Sequence, residues 1–298
     1  FEDMTITNFE NHTRAFVKIQ DGCNAFCAYC TIPYARGNLR SKNFNKVISE
    51  VTELVNNGYK EIVLTGIHTG RYGKEQNTNL EKLLKELVKI EGILRIRLSS
   101  IEINEITDGI IELIKNNPIM AKHLHIPLQS GSNEILSLMN RKYKKEYFID
   151  RVSYIRKEIP DISITTDLIV GFPSETEYHF KETIDTLNLI NFTKIHTFPY
   201  SKRNGTVAAS MPNQIDGNTK KCRVKEVIAL SDKNEEAFYK SKIGNIYDGI
   251  IENRKDGKNI VITTNYIPVE VLDTIPSNSI VNIQITEVLN GKVLGKII

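Results

Sequence analysis

The sequence predicts an α/β fold, a partial (β/α)6 barrel followed by a small all-β barrel. Three observations support this prediction. Short β-rich runs alternate with amphipathic segments over the first two thirds of the chain, glycine and proline punctuate the segment ends, and the pattern changes near residue 240 to short alternating runs. Strands that alternate with helices favour a parallel sheet, whose functional loops lie at the carboxyl ends of the strands.

The first part of the chain predicts alternating strands and crossover helices. Runs rich in β-branched residues predict parallel strands at residues 15–20, 61–65, 94–98, 123–126, 162–170 and 193–197. Apolar residues at i, i+3, i+4 and i+7 predict helices at 45–57, 80–90, 106–116, 144–158 and 176–190. A last, charged helix is expected at about 219–240.

The end of the chain predicts a barrel of short strands. The runs IYDGIIE, KNIVITT, IPVEVL, SIVNIQITEV and KVLGKII are separated by DG, NG and PS turns. A barrel of this size is similar to OB-like RNA-binding modules. Acidic and basic residues balance within it, so charge alone leaves an RNA-binding role and a packing role equally open. We therefore predict three regions, a linker at 1–14, the partial barrel at 15–240 and the small barrel at 241–298.

Composition excludes several classes of protein. The chain has 298 residues, is 40% hydrophobic, and carries 39 basic against 36 acidic residues for a net charge of +3. This balance excludes charge-driven disorder, and any contact with nucleic acid must come from local patches. No run approaches the roughly 18 apolar residues of a membrane span. We expect a cytoplasmic chain without a membrane partner.

The strongest chemical signal is the CxxxCxxC spacing of Cys23, Cys27 and Cys30, placed directly after the first predicted strand. Structural zinc is usually held by four ligands in paired CxxC units. Three thiolates on one loop can instead bind three irons of a [4Fe-4S] cluster and leave the fourth iron open. The alternative is a zinc site completed by His68 or His125. Cys222 is interpreted as a buried side chain of the last predicted helix, outside the site.

With this motif the chain resembles the radical S-adenosylmethionine (SAM) superfamily, whose members carry CxxxCxxC after the first strand of a partial (β/α)6 barrel. The resemblance implies a [4Fe-4S] cluster on the three cysteines, with the open iron chelated by the methionine part of SAM. It also implies one-electron cleavage of SAM to a 5′-deoxyadenosyl radical. Tyr29 matches the aromatic position that lies against the adenine, where a flat ring offers a stacking face.

Further cofactor contacts are expected at the other strand ends. Gly66 matches the place where the family binds the SAM amino group, and Glu102 follows the third strand, where its carboxylate could accept hydrogen bonds from the ribose. Ser130 follows the fourth strand. Ile169 and Gly171 match the strand that contacts adenine. Because these positions follow successive parallel strands, they are expected on the face that bears the cysteines.

Longer segments narrow the resemblance to the radical SAM methylthiotransferases. They are DGCNAFCAYCTIPYARGNLRSK, VLTGIHTGRYG, HLHIPLQSGSNEILSLMNRKY, TTDLIVGFPSET and KIHTFPYSKRNGTVAA. These segments are most similar to the branch of the family that acts on N6-threonylcarbamoyladenosine in tRNA. The last sixty residues then resemble the tRNA-binding TRAM domain of that branch. The resemblance implies a tRNA anticodon stem-loop as partner, and an electron donor and a sulfur source that it does not identify.

Two basic stretches are consistent with a tRNA partner. Residues 31–49 hold Arg36, Arg40, Lys42 and Lys46 without an acid. Residues 202–225 hold six basic residues against one acidic residue, namely Lys202, Arg203, Lys220, Lys221, Arg223 and Lys225 against Asp216. Alone, such stretches are more often solvated surface. The resemblance favours phosphate contacts.

The sequence departs from the family in one respect. The family carries an N-terminal domain whose three further cysteines hold a second iron-sulfur cluster for sulfur delivery, and this sequence, which begins at Phe1, has none of it. Our hypothesis is that the chain binds one cluster and cleaves SAM without completing methylthiolation alone. Two other readings stay open: a sister enzyme acting on isopentenyladenosine in tRNA or on a ribosomal-protein aspartate, and a zinc-stabilised RNA-binding module without catalysis.

Overall fold

The computed structural model describes residues 13–253 and 259–298. The predicted linker at 1–14 lies outside the described residues except for its last two positions, and Arg14 already begins a strand. The strands, in chain order, are Arg14–Asp21 (β1), Arg40–Ser41 (β2), Glu61–Gly66 (β3), Arg95–Leu98 (β4), His123–His125 (β5), Ser163–Val170 (β6), Lys194–Pro199 (β7), Ile246–Asn253 (β8), Asn259–Thr263 (β9), Pro268–Val271 (β10), Ile280–Leu289 (β11) and Lys292–Ile297 (β12).

The helices surround the strands in the expected alternation. They are Ile32–Arg36 (α1), Phe44–Asn56 (α2), Leu80–Leu87 (α3), Asp108–Asn116 (α4), Asn133–Leu138 (α5), Lys145–Glu158 (α6), Glu177–Ile190 (α7), Val207–Ser210 (α8) and Gly217–Lys240 (α9). All six predicted strands and six predicted helices of the first part are confirmed to within a few residues. The unpredicted elements β2, α1, α5 and α8 are too short to show a period.

Strands β1, β3 and β4 are parallel neighbours, and so are β5, β6 and β7. Isolated parallel bridges from Ile96 to Met120 and from Ser100 to His125 continue one group into the other. The short β2 pairs antiparallel with β1 at the outer edge. The six parallel strands thus form the predicted partial barrel, with all their carboxyl ends at one rim.

Helix α2 illustrates how the sequence places these elements. Its N-cap Asn43 accepts hydrogen bonds from the amides of Asn45 and Lys46, which satisfies two of the unpaired donors of the first turn. Its buried side chains recur at helical spacing and pack on the strands; they include Val47, Val51 and Leu54. Each such side chain stabilises the fold by about 1.5–3 kcal/mol.

The C-terminal strands close into a barrel in the order β10-β12-β11-β8-β9. Its interior is a separate apolar cluster that includes Ile251, Val261, Val269, Ile283 and Ile285. The predicted small all-β barrel is therefore confirmed. Helix α9 ends at Lys240 and β8 begins at Ile246, and we keep 15–240 and 241–298 as the proposed domain boundaries.

The small barrel is joined to the amino ends of the parallel strands through buried charges. Glu61 is fully buried and pairs with Arg97 at 2.9 Å and with Arg95 at 3.5 Å. Arg95 also pairs with Asp248 and donates to the carbonyl oxygen of Ile262 at 3.1 Å. This contact lies at the end of the partial barrel opposite the carboxyl rim.

An aromatic side chain of the small barrel closes the same end. Tyr266, in the turn between β9 and β10, lies 4.5 Å under the guanidinium of Arg97. On its other side it stacks on His123, with ring centroids 4.7 Å apart. Tyr266 and the buried charges together fix the small barrel on the partial barrel.

The prediction for Cys222 is wrong. It lies on α9 as expected, but its side chain is exposed. The face of α9 that packs inward carries Arg223, Val227, Ser231 and Tyr239. Because Cys222 directly precedes the inward-facing Arg223, it falls outside the buried stripe.

Candidate active site

The three clustered cysteines lie on the loop that follows β1, at the carboxyl rim. The chain leaves β1 through Gly22, whose φ of +71° favours glycine. A Cβ at Gly22 would clash with the backbone carbonyl of Asn38. The amide of Cys23 donates to the carbonyl oxygen of Gly37 at 3.1 Å. The start of the loop is therefore held against the segment between α1 and β2.

Cys23, Cys27 and Cys30 are partly buried and line one cavity of about 210 Å³. The remainder of its wall comes from the loop itself, from residues beyond the carboxyl ends of β3, β4 and β5, from Asp167 within β6, and from Arg141. These wall residues are Ala25, Tyr29, Ile32, Ile67, His68, Ser100, Ile101, Glu102, Pro127, Gln129, Arg141 and Asp167. Successive strand ends converge on the thiols, as the barrel prediction requires.

The middle of the cysteine loop is fixed by the turn after α5. The amide of Ala28 donates to the carbonyl oxygen of Met139 at 3.0 Å. The side chain of Asn140 donates to the carbonyl oxygens of Phe26 at 2.9 Å and of Ala25 at 3.3 Å. Phe26 has a φ of +48°, a conformation that costs a side-chain-bearing residue roughly 1–2 kcal/mol. These hydrogen bonds offset that strain.

Cationic groups lie beside two of the thiols. Nδ1 of His68 is 3.3 Å from the Sγ of Cys23, and its Nε2 is 2.9 Å from a carboxylate oxygen of Glu105. Nη1 of Arg141 is 3.5 Å from the Sγ of Cys27. Positive charge beside a thiol favours the thiolate, which is the form that binds iron.

The surroundings shift the pKa values of Cys23, Cys30 and His68. Burial acts to raise the pKa of Cys23, but the hydrogen bonds with His68 and Ala25 and the charge of Arg71 outweigh it and lower that pKa. Burial acts to lower the pKa of His68, but its hydrogen bonds with Cys23 and Glu105 raise the pKa to about 9. The pKa of Cys30 is raised by burial and by the charges of the other two thiols.

The donor set fits an iron-sulfur cluster better than a single ion. One zinc ion requires every ligand atom within about 2.3 Å of the same point, whereas a cluster receives each thiolate on a different iron. Within residues 13–253 and 259–298, no three His, Cys, Asp or Glu side chains are grouped to hold a single metal ion. His68 approaches Cys23, while His125 pairs with Asp167 at 3.2 Å. The described residues thus offer no ready zinc site.

Two of the predicted SAM contacts reach the cavity. The ring of Tyr29 lies in its wall and meets Phe172 edge to face, with centroids 6.5 Å apart. Burial raises the pKa of Tyr29 well above its ordinary value, so its hydroxyl stays protonated. Glu102 also lines the cavity, and its carboxylate pairs with Arg141. Its remaining acceptor capacity faces the same space.

The two predicted glycines do not line this cavity. Gly66 ends β3, and a Cβ there would lie 3.1 Å from the side chain of Gln20. At Gly171 a Cβ would clash with the side chain of Lys220. Each glycine therefore allows a close approach of protein to protein at its position.

The other two predicted contacts are also directed elsewhere. The hydroxyl of Ser130 accepts from the amide of Ser132 at 3.2 Å and lies 3.5 Å from that of Thr183. Ile169 packs on a small apolar cluster that includes Phe172. Neither lines the cysteine cavity; at these strand ends Gln129 and Asp167 do.

Sequence reasoning missed Arg141, Gln129 and Asp167. Asp167 lies two residues after Thr165 on β6, so the two side chains share one face of the strand. A carboxylate at such a position was a signal that sequence reasoning could have used. Gln129 has a φ of +65°, and no pattern in the sequence predicts this backbone conformation. Arg141 lies in a run of basic residues, and nothing local separates it from Lys142.

The basic stretches contribute fewer exposed charges than their sequence indicates. Lys42 is buried and pairs with Glu50 at 2.6 Å, and Arg223 is buried and pairs with Glu175 at 2.7 Å. These two residues are corrections to the predicted tRNA surface. Side chains that remain accessible near the rim include Arg36, Arg40, Lys202 and Arg203.

A second cavity of about 460 Å³ lies inside the partial barrel, between the parallel strands and Tyr266. Ser100 lines both this cavity and the one at the cysteines. Its wall contains His123, His125 and His196. The interior of the barrel therefore contains ionisable side chains and adjoins the carboxyl rim.

Comparison with known proteins defines the class. The model of the radical SAM superfamily matches residues 17–187. Coproporphyrinogen III oxidase (HemN) from Escherichia coli superposes with a TM-score of 0.54 at 14% identity, over 93% of this chain and 68% of its own. The radical S-adenosylmethionine methyltransferase TsrM from Kitasatospora setae gives 0.56 at 17% identity, over 65% of this chain and 38% of its own. The chain belongs to the radical SAM superfamily.

Curated relatives refine that assignment. A protein from Bacillus subtilis, threonylcarbamoyladenosine tRNA methylthiotransferase MtaB, is 46% identical over 85% of this chain and 60% of its own length. The tRNA-2-methylthio-N(6)-dimethylallyladenosine synthase of Thermoanaerobacter pseudethanolicus is 40% identical over 97% of this chain and 63% of its own. Within the superfamily the chain falls among the methylthiotransferases. It spans about 60% of the length of these relatives. None of its described helices is long and apolar enough to cross a membrane.

Proposed function

We propose that this chain binds one [4Fe-4S] cluster through Cys23, Cys27 and Cys30 and cleaves SAM. The observation that carries the proposal is the convergence of these three thiols on one cavity at the carboxyl rim of a radical SAM barrel. When bound, the cluster and SAM supply a one-electron cleavage that yields the 5′-deoxyadenosyl radical.

The residues of the chain position and shield that chemistry. His68 and Arg141 place positive charge beside Cys23 and Cys27, and the hydrogen bond with His68 favours the thiolate of Cys23. Tyr29 offers a partly buried aromatic face to an adenine, and Glu102 offers a carboxylate oxygen to a ribose. The enclosing strand ends exclude water from a reactive radical. Gly66, Ser130, Ile169 and Gly171 enter this proposal as supports of the strand ends that form the wall.

For the substrate we propose N6-threonylcarbamoyladenosine beside the tRNA anticodon, whose adenine ring receives the methylthio group. Relatives at 46% and 42% identity carry threonylcarbamoyladenosine in their names. Charge supports the choice, because the threonyl group ends in a carboxylate and the small space beside the cysteine cavity is lined by three cations, Arg71, Arg141 and Lys142, against two carboxylates, Glu102 and Glu105. Sulfur delivery and the second cluster belong, in this proposal, to the N-terminal domain of the family.

A dimethylallyl-bearing adenosine is the second candidate substrate. Its support is the relative named for that nucleoside, which matches 97% of this chain. The dimethylallyl group is apolar and uncharged, so it gains nothing from the cations beside the cavity. Competition between anticodon stem-loops carrying either nucleoside tests the choice, and equal or tighter binding of the dimethylallyl form would favour the second candidate.

The cofactor proposal is tested by anaerobic reconstitution with iron and sulfide, followed by assay of 5′-deoxyadenosine formed from SAM under dithionite. We expect about four irons per chain and deoxyadenosine formation. Cys27→Ala should lose both, whereas Cys222→Ala, at the exposed cysteine of α9, should keep both. Stoichiometric zinc without iron would overturn the proposal in favour of a metal-stabilised RNA-binding module. About eight irons would contradict the single cluster.

A further inference from the structure

Two exposed aromatic side chains lie at the cysteine loop, one within it and one just after it. Phe26 lies between Cys23 and Cys27 and is 48% exposed, and Tyr34, on α1, is 63% exposed. Their ring centroids are 6.0 Å apart at an interplanar angle of 74°. Because both rings are largely exposed, packing in the core does not explain their position. A bound ligand would explain it.

The backbone holds Phe26 in this outward position. Its φ of +48° is strained, and Asn140, itself at φ +60°, donates to its carbonyl oxygen at 2.9 Å. Strain that the surrounding structure maintains is characteristic of binding and catalytic sites. Tyr34 is placed by α1, which begins two residues after Cys30. Both rings are therefore preorganised relative to the thiols.

Two arginines follow Tyr34 along the chain, Arg36 on α1 and Arg40 on β2, and one carboxylate neutralises them in part. Asp21 has Lys18 at 2.7 Å, while Arg36 and Arg40 are at 3.8 and 3.7 Å from the same carboxylate. Their side chains remain 56% and 41% exposed. A single carboxylate shared among three cations leaves the surface electropositive.

Exposed aromatic faces and accessible arginines on the same stretch of chain, residues 26–40, match the chemistry of an unpaired nucleotide. Bases of single-stranded RNA stack on exposed aromatic rings, and their phosphates pair with arginine. An apolar protein segment would use the rings but not the charges. Charge complementarity therefore favours RNA over a protein partner.

We propose that Phe26 and Tyr34, here termed the aromatic platform, stack an unpaired RNA base next to the nucleotide that enters the cysteine cavity, with Arg36 and Arg40 on the flanking phosphates. The platform borders the cavity because Ala25 and Ile32, its neighbours along the chain, line the cavity wall. This inference rests on the proposed RNA substrate and adds where the neighbouring nucleotide binds.

The test measures binding of a synthetic tRNA anticodon stem-loop to the whole chain and its variants. Since stacking is worth about 1–3 kcal/mol per base, Phe26→Leu and Tyr34→Leu should each weaken binding roughly tenfold. Tyr34→Phe keeps the ring and should bind like the unmodified protein. Tyr178→Leu, on α7 and 69% exposed, is the matched control and should change binding by less than about twofold.

A second measurement identifies stacking itself. Replacing the stacked loop base by an abasic nucleotide should weaken binding to the unmodified protein about tenfold and add almost nothing to Tyr34→Leu. Additive losses at every loop position, or Tyr34→Leu binding as tightly as the control, would overturn the platform. SAM cleavage is measured on the unmodified protein without RNA. If it cleaves SAM but binds no stem-loop, the platform fails while the cofactor proposal stands.

Discussion

The guanidinium of Arg141 lies 3.5 Å from the sulfur of Cys27. Its other terminal nitrogen pairs with Glu102. One side chain thus connects a proposed cluster ligand to a proposed SAM contact. The side chain of Arg141 is only 5% exposed, so its charge acts on the sulfur with little screening.

Arg141→Gln should make the bound cluster harder to reduce. Removing a positive charge and a hydrogen bond from a ligand sulfur destabilises the reduced, more negative cluster. We expect the reduction potential to fall by several tens of millivolts, since 1 kcal/mol corresponds to about 43 mV for one electron. A redox titration followed by electron paramagnetic resonance measures it. An unchanged potential in a variant with full iron content would contradict this role.

Gly22→Ala should impair cluster assembly. The alanine would adopt an unfavourable φ of +71° and meet the carbonyl of Asn38, so the loop that begins at Cys23 must move. We expect iron content after reconstitution to fall severalfold. Gly217→Ala, at a glycine of α9 with no atom near the added Cβ, serves as the control and should retain full iron. Equal iron in both variants would show that the loop tolerates the shift.

Glu61→Gln should weaken the fold near the contact between the two barrels. Without the carboxylate, Arg95 and Arg97 lose their shared buried counter-charge, and breaking such a pair typically costs about 3–5 kcal/mol. Urea unfolding measures the loss. Asp185→Asn breaks the exposed pair with Lys181 and should cost less than about 1 kcal/mol. Comparable losses in the two variants would refute the importance of burial.

His123 should make the fold less stable in mild acid. Burial first, and then the charges of Arg97, His125 and His196, keep its pKa well below 6.5 in the folded protein. Below pH 6.5 His123 binds a proton in the unfolded chain but not in the folded chain. The free energy of unfolding therefore falls by about 2 kcal/mol between pH 6.5 and 5. His123→Gln should remove that part of the pH dependence. Parallel stability curves for the two proteins between these pH values would argue against it.

The fold was predictable because its elements carry strong periods. The alternation of β6 and the helical spacing of α2 both survive in the structure within a residue or two. The small barrel was predictable from its turns. What the sequence did not reveal is the contact between the barrels, because Glu61 and Arg95 look like ordinary surface charges until their partners are known.

The site was predictable only where chemistry is local. Three cysteines within eight residues are recognisable from the sequence as a motif, and Tyr29 lies among them. Contacts from other strand ends depend on which side chain of a turn faces inward, and a shift of one residue reverses that. The prediction therefore chose Ser130 where Gln129 lines the cavity. Arg141 enters from a turn more than a hundred residues along the chain, beyond the reach of any local pattern.

The charged contact between the barrels bears on the order of synthesis. Arg95 and Arg97 emerge from the ribosome long before their acceptors at Asp248, Ile262 and Thr263. Until those acceptors are synthesised, this surface exposes hydrated guanidinium and carboxylate groups. An exposed apolar surface would instead bind chaperones or other nascent chains. The first part of the chain can thus fold during translation and receive its C-terminal partner last.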